Sequence, residues 1–240
     1  MDKTGIIVVT YNVPDFVIYQ ERTLWKFFSG EYDLIIIDNS DIAEKAEAIK
    51  YHCDRLKLSY IKTNATSSNS SDSHAFALNL AYNKFKNEYD KLLFLDHDCF
   101  LFKPLNSEED FAMADVIGLK QKKGDVEYFW PGCLSLDMKM LDFLGYTDIV
   151  DFSINHEKGL DTGGNLYKLI KAIKGTGGTI GEFSESYEQN PAFNTPPYNF
   201  YSIIGDIFMH FINGSGWNKT ESNQERINSL LNILESKVNG

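Results

Sequence analysis

A chain of 240 residues that is 43% hydrophobic and 14% aromatic can bury one substantial core, as one large domain or two tightly fused lobes. Its net charge of −11, without a long basic run, argues against non-specific nucleic-acid binding. The 3 cysteines lack any CxxC spacing, which argues against a disulfide framework or a zinc site and points to a reducing compartment.

The first residues enter a strand almost at once, with no signal-peptide core, and no apolar run reaches membrane-spanning length. The expected location is the cytoplasm, with peripheral membrane contact left open. Residues 5–10 (GIIVVT) read as a β-branched buried strand. Residues 14–28 place Phe16, Val17, Leu24, Trp25 and Phe28 at helical spacing. Residues 33–37 (DLIII) form a second strand that runs into Asp38, Asn39 and Ser40. A helix over 42–52, a strand over 56–61 and a polar loop over 62–73 (KTNATSSNSSDS) follow. The next helix, 74–88, carries Ala75, Leu78, Ala81, Tyr82 and Phe85 on one face. Residues 91–95 (KLLFL) are a fourth strand delivering Asp96, His97 and Asp98, and 115–119 a fifth.

This alternation predicts an α/β domain with a mainly parallel sheet and right-handed crossovers. Such sheets bind ligands at the carboxyl ends of their strands. Three of those ends carry polar clusters: Thr10-Tyr11-Asn12, Asp38-Asn39-Ser40 and Asp96-His97-Asp98.

The second half breaks the pattern. Residues 128–138 (YFWPGCLSLDM) are aromatic and contain Pro131-Gly132. Residues 160–174 read as a helix, 176–178 and 189–199 as loops, and 203–211 as a strand with His210 near its end. An amphipathic helix over 222–238 buries Ile227, Leu230, Leu231, Leu234 and Val238, with Ser222 and Glu225 as a capping box.

Asp96 and Asp98 leave an apolar strand, and carboxylates beside a core are costly unless their charge is compensated. A divalent cation bound to a diphosphate does this, and hard oxygen ligands suit Mg²⁺ or Mn²⁺. His210 as a neutral imidazole suits Mn²⁺, and Gly214 and Gly216 let backbone amides approach phosphate oxygens. Asp161, in LDTGG ahead of the 160–174 helix, is a candidate general base. It is equally a helix N-cap, whose neighbouring amides would weaken it as a base. Glu157 and Asp137 stand behind it.

Four segments carry a resemblance through residue 104: VVTYN at 8–12, IIIDNS at 35–40, the polar loop with AFALNLAY at 75–82, and LLFLDHDCFLFKP at 92–104. In this order they resemble a GT-A fold glycosyltransferase of the family 2 type. The resemblance implies a single Rossmann-like domain with a donor half (1–118), an acceptor half (119–218) and a C-terminal helix (219–240). It implies a metal-dependent, inverting transfer from a nucleotide-diphosphate sugar, UDP-linked, to a carbohydrate or lipid-linked acceptor, as in surface polysaccharide synthesis. Thr10, Tyr11 and Asn12 would lie beside base and ribose, with Asp38 and its neighbour Asn39 binding there too. Asp96 would face the ribose or a metal-bound water, and Asp98 the metal itself. His210 to Trp217 is similar to a His-x-x-Gly-type segment, which makes His210 a metal ligand and the loop amides a diphosphate holder. Trp217 is a secondary candidate for stacking on the sugar. Two other readings are a non-catalytic nucleotide-sugar or carbohydrate-binding module, which would not need Asp161, and a haloacid dehalogenase-type phosphatase. The latter fits poorly, because its Asp-x-Asp sits on the first strand, with Thr or Val where this chain has Phe100.

Overall fold

The computed structural model describes residues 2–64, 69–112, 114–192, 200–212 and 221–239. The chain opens with β1 (Lys3–Thr10) and α1 (Pro14–Phe27), where Pro14 and Asp15 suit the first helical turn. It continues through β2 (Phe28–Ser29), β3 (Glu31–Asp38), α2 (Ala43–Leu56), β4 (Ser59–Lys62) and α3 (Ser70–Phe85). Next come β5 (Lys91–Asp96), β6 (Cys99–Leu101), β7 (Leu105–Asn106), β8 (Val116–Lys123) and β9 (Val126–Asp137). The remainder is α4 (Met138–Phe143), α5 (Tyr167–Thr176), β10 (Ile180–Glu182), β11 (Glu185–Gln189), β12 (Phe200–Ile204), β13 (Phe208–His210) and α6 (Glu221–Asn239).

The main sheet has seven strands in the order β10-β8-β9-β5-β1-β3-β4. Only β9 runs against the others, so the sheet is mainly parallel, as the alternating sequence pattern requires. Ile6, Val8, Leu34 and Ile36 face the layer that holds α1 and α2. Ile7, Val9, Ile35 and Ile37 face the opposite layer, with α3, α4 and α5. Burial on both faces explains why these strands read as unbroken apolar runs. A second, four-stranded sheet (β11-β12-β13-β6) packs Phe100 and Met209, with Phe211 just after β13, against α6, which contributes Ile227, Leu230, Leu231, Leu234 and Val238. No described helix is long and apolar enough to cross a membrane.

Four expectations change. The polar stretch 62–73 is shorter as a loop, because Asn69 caps α3 by accepting from the amides of Ser71 and Asp72. Residues 65–68 of it, and Ser222 of the expected capping box, lie outside what is described. The aromatic run 128–138 is not a break but the antiparallel strand β9. Its register jumps from Gly118↔Leu134 to Leu119↔Trp130, so Pro131, Gly132 and Cys133 bulge out and the missing proline amide leaves no gap in the β8 ladder. Helix α5 begins only at Tyr167, after one 3₁₀ turn at Gly164–Leu166. The run 203–211 is a hairpin, because Gly205 (φ 58°) and Asp206 (φ 60°) reverse the chain between β12 and β13.

Candidate functional site

Strand register assembles the crevice. Thr10 lies beside Asp38 at the ends of β1 and β3, and Val9 lies beside Asp96 at the end of β5. All three polar clusters therefore open on one edge of the sheet.

The first two clusters brace each other. Asp38 is fully buried, with Oδ1 accepting from the Ser40 amide at 2.9 Å and Oδ2 from the Tyr60 hydroxyl at 2.8 Å. Its carboxylate is thus spent inside the protein, orienting Tyr60 at the crevice. Asn12 adopts φ 55°, donates its amide to Ser40 Oγ at 2.8 Å and its Nδ2 to Asp41 Oδ1 at 2.6 Å. The Tyr11 hydroxyl donates to Asp41 Oδ2 at 2.8 Å, and burial, then Asp41, push this phenol up to about 12. Asn39 donates to Ser73 Oγ at 2.8 Å and accepts from Thr63 Oγ1 at 2.6 Å, joining β3 to the start of α3. Thr10, Asn12 and Asp38 are buried, whereas Tyr11, Asn39 and Tyr60 are partly exposed.

The carboxylate pair divides between two imidazoles. Asp96 Oδ1 lies 3.2 Å from His74 Nε2, on the first turns of α3. Burial alone would lower the His74 pKa, but Asp96 and then Asp161 outweigh it and raise it. Asp96 is held below the usual carboxylate range: burial opposes this, and the imidazole of His74, foremost, overcomes it. Asp98 is buried, and its Oδ1 lies 3.8 Å from His210 Nε2. The pairing of β13 with β6 sets His210 against Cys99, and His210 Nδ1 is 3.0 Å from Ser202 Oγ. Burial drives His210 down to about 4, so it is a neutral donor atom at physiological pH. His97 turns away from the crevice, as strand alternation predicts. It packs edge-on against Phe16, accepts from the Tyr11 amide at 3.3 Å and is lowered to about 4 by burial.

Two carboxylates and a neutral imidazole are a donor set suited to Mn²⁺ or Mg²⁺. Among the described residues no group of three or more acidic, histidine or cysteine side chains converges closely enough to hold an ion as it stands. Each carboxylate is turned to its own imidazole instead.

Asp161 is exposed and lies on the loop ahead of α5, six positions before that helix begins. It is not the cap of α5. Its Oδ1 accepts from the adjacent Thr162 amide at 2.8 Å, and its charge reaches His74. The loop is fastened to α3. Thr162 Oγ1 donates to the Ser71 carbonyl at 3.1 Å, while Asn79 donates to Ser153 Oγ at 3.1 Å and accepts from the Phe152 amide at 3.0 Å. Of the reserve bases, Glu157 is an exposed residue of a 3₁₀ turn. Asp137 pairs with Lys91 at the far end of β5 and caps α4, away from the crevice. Gly214, Gly216 and Trp217 lie outside the described residues.

Two residues of this region carry no sequence signal of their own. His74 sits unmarked at the start of a helix, and only tertiary packing brings it to Asp96. Trp130 reads as one aromatic among many, yet it lies 4.7 Å from His210 between ring centroids.

No protein-family model matches the sequence, and no curated protein matches it. Among solved structures, the chain is similar to the mannosyltransferase PcManGT from Pyrobaculum calidifontis in complex with GDP-Man and Mn²⁺, at 14% identity and a TM-score of 0.50, covering 75% of this chain and 54% of that one. Weaker likenesses include S. aureus TarS, at 17% identity and a TM-score of 0.48, covering 76% of this chain and 35% of that one. The chain thus spans about half the length of PcManGT. At these identities the likeness establishes the fold: this is a GT-A fold.

Proposed function

We propose that this protein is a metal-dependent glycosyltransferase of the hexosyltransferase kind, taking a nucleotide-diphosphate sugar, UDP-linked, as donor. The observation that carries the reading is the convergence, on one sheet edge of a GT-A fold, of the ends of β1, β3 and β5 with Asp96, Asp98 and His210. PcManGT, which shares that fold, was solved with GDP-Man and Mn²⁺.

In this reading residues 1–118 hold the donor and 119–218 the acceptor, a carbohydrate or lipid-linked glycan of surface polysaccharide synthesis, with 219–240 as a supporting helix. The partly exposed wall of Tyr11, Asn39 and Tyr60 borders the nucleoside, braced from behind by Thr10, Asn12 and Asp38. Asp98 and His210 would hold Mn²⁺ or Mg²⁺ with Asp96 assisting, and Gly214 and Gly216 would offer amides to the diphosphate, with Trp217 for the sugar. The bound cation supplies charge neutralisation for the departing diphosphate. Asp161 takes the proton of the acceptor hydroxyl, and attack from the face opposite the diphosphate inverts the anomeric centre. The chemistry needs no transmembrane segment, and a cytoplasmic location with peripheral membrane contact is consistent with it.

The test is thermal unfolding with UDP or GDP, with and without Mn²⁺. A Mn²⁺-dependent rise in Tm is expected in the native protein and not in Asp98→Ala. If Asp98→Ala responds like the native protein, the metal assignment is wrong. Slow Mn²⁺-dependent hydrolysis of a nucleotide sugar separates the enzyme from a binding module that merely holds the donor.

A further inference from the structure

We infer that Trp130 is the platform on which the donor's transferred sugar lies. This rests on the glycosyltransferase reading and extends it from the nucleotide to the hexose.

The backbone of β9 is shaped around this side chain. Between Leu134 and Trp130 the strand leaves its register with β8, and Pro131 and Gly132 fall in the bulge. A Cβ on Gly132 would lie 2.1 Å from Cζ2 and 2.5 Å from Cε2 of the Trp130 indole. Only a bare Cα lets the ring fold back over the bulge. Phe129, the preceding residue, is fully buried in the core on the other face of the sheet, whereas Trp130 is only half-buried. The indole touches His210 at 4.7 Å between centroids with the rings at 46°. Its N–H makes no hydrogen bond with any described residue and is not a buried orphan. The ring packs in part against the core layer that holds Leu119, Cys133 and Phe183, yet it stays partly exposed and its donor has no partner among the described residues.

The surroundings say what that face can take. Asp96, Asp98, His74 and His210 make the neighbouring crevice polar, and Trp130 is the apolar surface beside them. A pyranose matches both properties. Its C–H face carries partial positive charge and lies well on the electron-rich indole, while a hydroxyl can accept from the indole N–H. His210 is the proposed metal ligand on the diphosphate side. The group attached to that diphosphate is the sugar, so its ring falls over the tryptophan that touches His210.

The experiment is calorimetric titration of UDP, GDP, UDP-N-acetylglucosamine and GDP-mannose with Mn²⁺ present, on the native protein, Trp130→Phe and Trp130→Leu. Leucine keeps apolar bulk and removes the flat ring. Nucleoside diphosphate affinity should stay within about twofold in both variants, which also reports that they are folded. Nucleotide-sugar affinity should fall about tenfold in Trp130→Leu and be largely restored in Trp130→Phe. The inference is overturned if Trp130→Leu weakens both ligand kinds alike, since the ring would then merely support His210, or if it weakens neither. A native protein that binds no nucleoside diphosphate at all would sink the glycosyltransferase reading itself, a different result from either of these.

Discussion

Asp161 presents the sharpest case of one residue type serving two roles. Aspartate before a helix is commonly a cap, but α5 starts at Tyr167, and among the described residues the Asp161 side chain accepts from the adjacent Thr162 amide. Asp161→Asn should therefore leave stability and nucleotide affinity nearly unchanged, while sugar transfer falls by at least about a hundredfold. Near-native turnover in a coupled transfer assay would remove it as the base. A second prediction concerns protons. Burial lowers His97 and His210 to about 4, whereas the unfolded chain binds protons on them below about 6.5. The stability they allow is whole above that pH and is lost as pH falls toward 4. His74 works in the opposite sense, because its folded pKa is raised. Its contribution is present below the unfolded pKa and disappears as pH rises through the folded one. Urea midpoints should therefore drop between neutral pH and about pH 5, and His74→Gln should steepen the drop.

At the scale of elements, α3 organises the site. Its first turns hold His74 against Asp96, and its second half holds the Asp161 loop through Asn79, which reaches Asp151, Phe152 and Ser153. Asn79→Ala strands the Phe152 amide and removes two donors from partly buried acceptors, so a loss of about 2 kcal/mol is expected by chemical denaturation. A neutral effect would mean that the loop holds its place by packing alone. These contacts were not readable in the sequence, because Asn79 looks like any polar residue on a helix and its partners lie on a distant loop. The strands at 5–10, 33–37 and 91–95 were readable, since burial on both faces demands unbroken apolar runs. The hairpin at Gly205-Asp206 left a visible sign, a turn pair inside an apolar run, but the run outweighed it. Strand β9 was hidden by the proline and glycine that its bulge accommodates.

At the scale of the whole molecule, the order of strands and helices was enough to expect a mainly parallel α/β sheet, and that is the fold observed. What stayed hidden was the second sheet, because β6 joins the consecutive strands β11, β12 and β13 only through its long-range pairing with β13. The pairing of β6 with β13, which brings Asp98 to His210, has a kinetic consequence. The two strands lie far apart in sequence, and closing so long a loop costs entropy that is recovered only once the contacts form. Parallel neighbours such as β1 and β3 close much shorter loops. Two timescales should therefore separate when the denatured chain is diluted into buffer containing Mn²⁺. Far-ultraviolet circular dichroism should recover in the faster phase and any Mn²⁺ binding in the slowest, so that for a time the chain carries native-like secondary structure before His210 reaches Asp98. Simultaneous recovery of both signals would show that the distant pairing forms as early as the sheet.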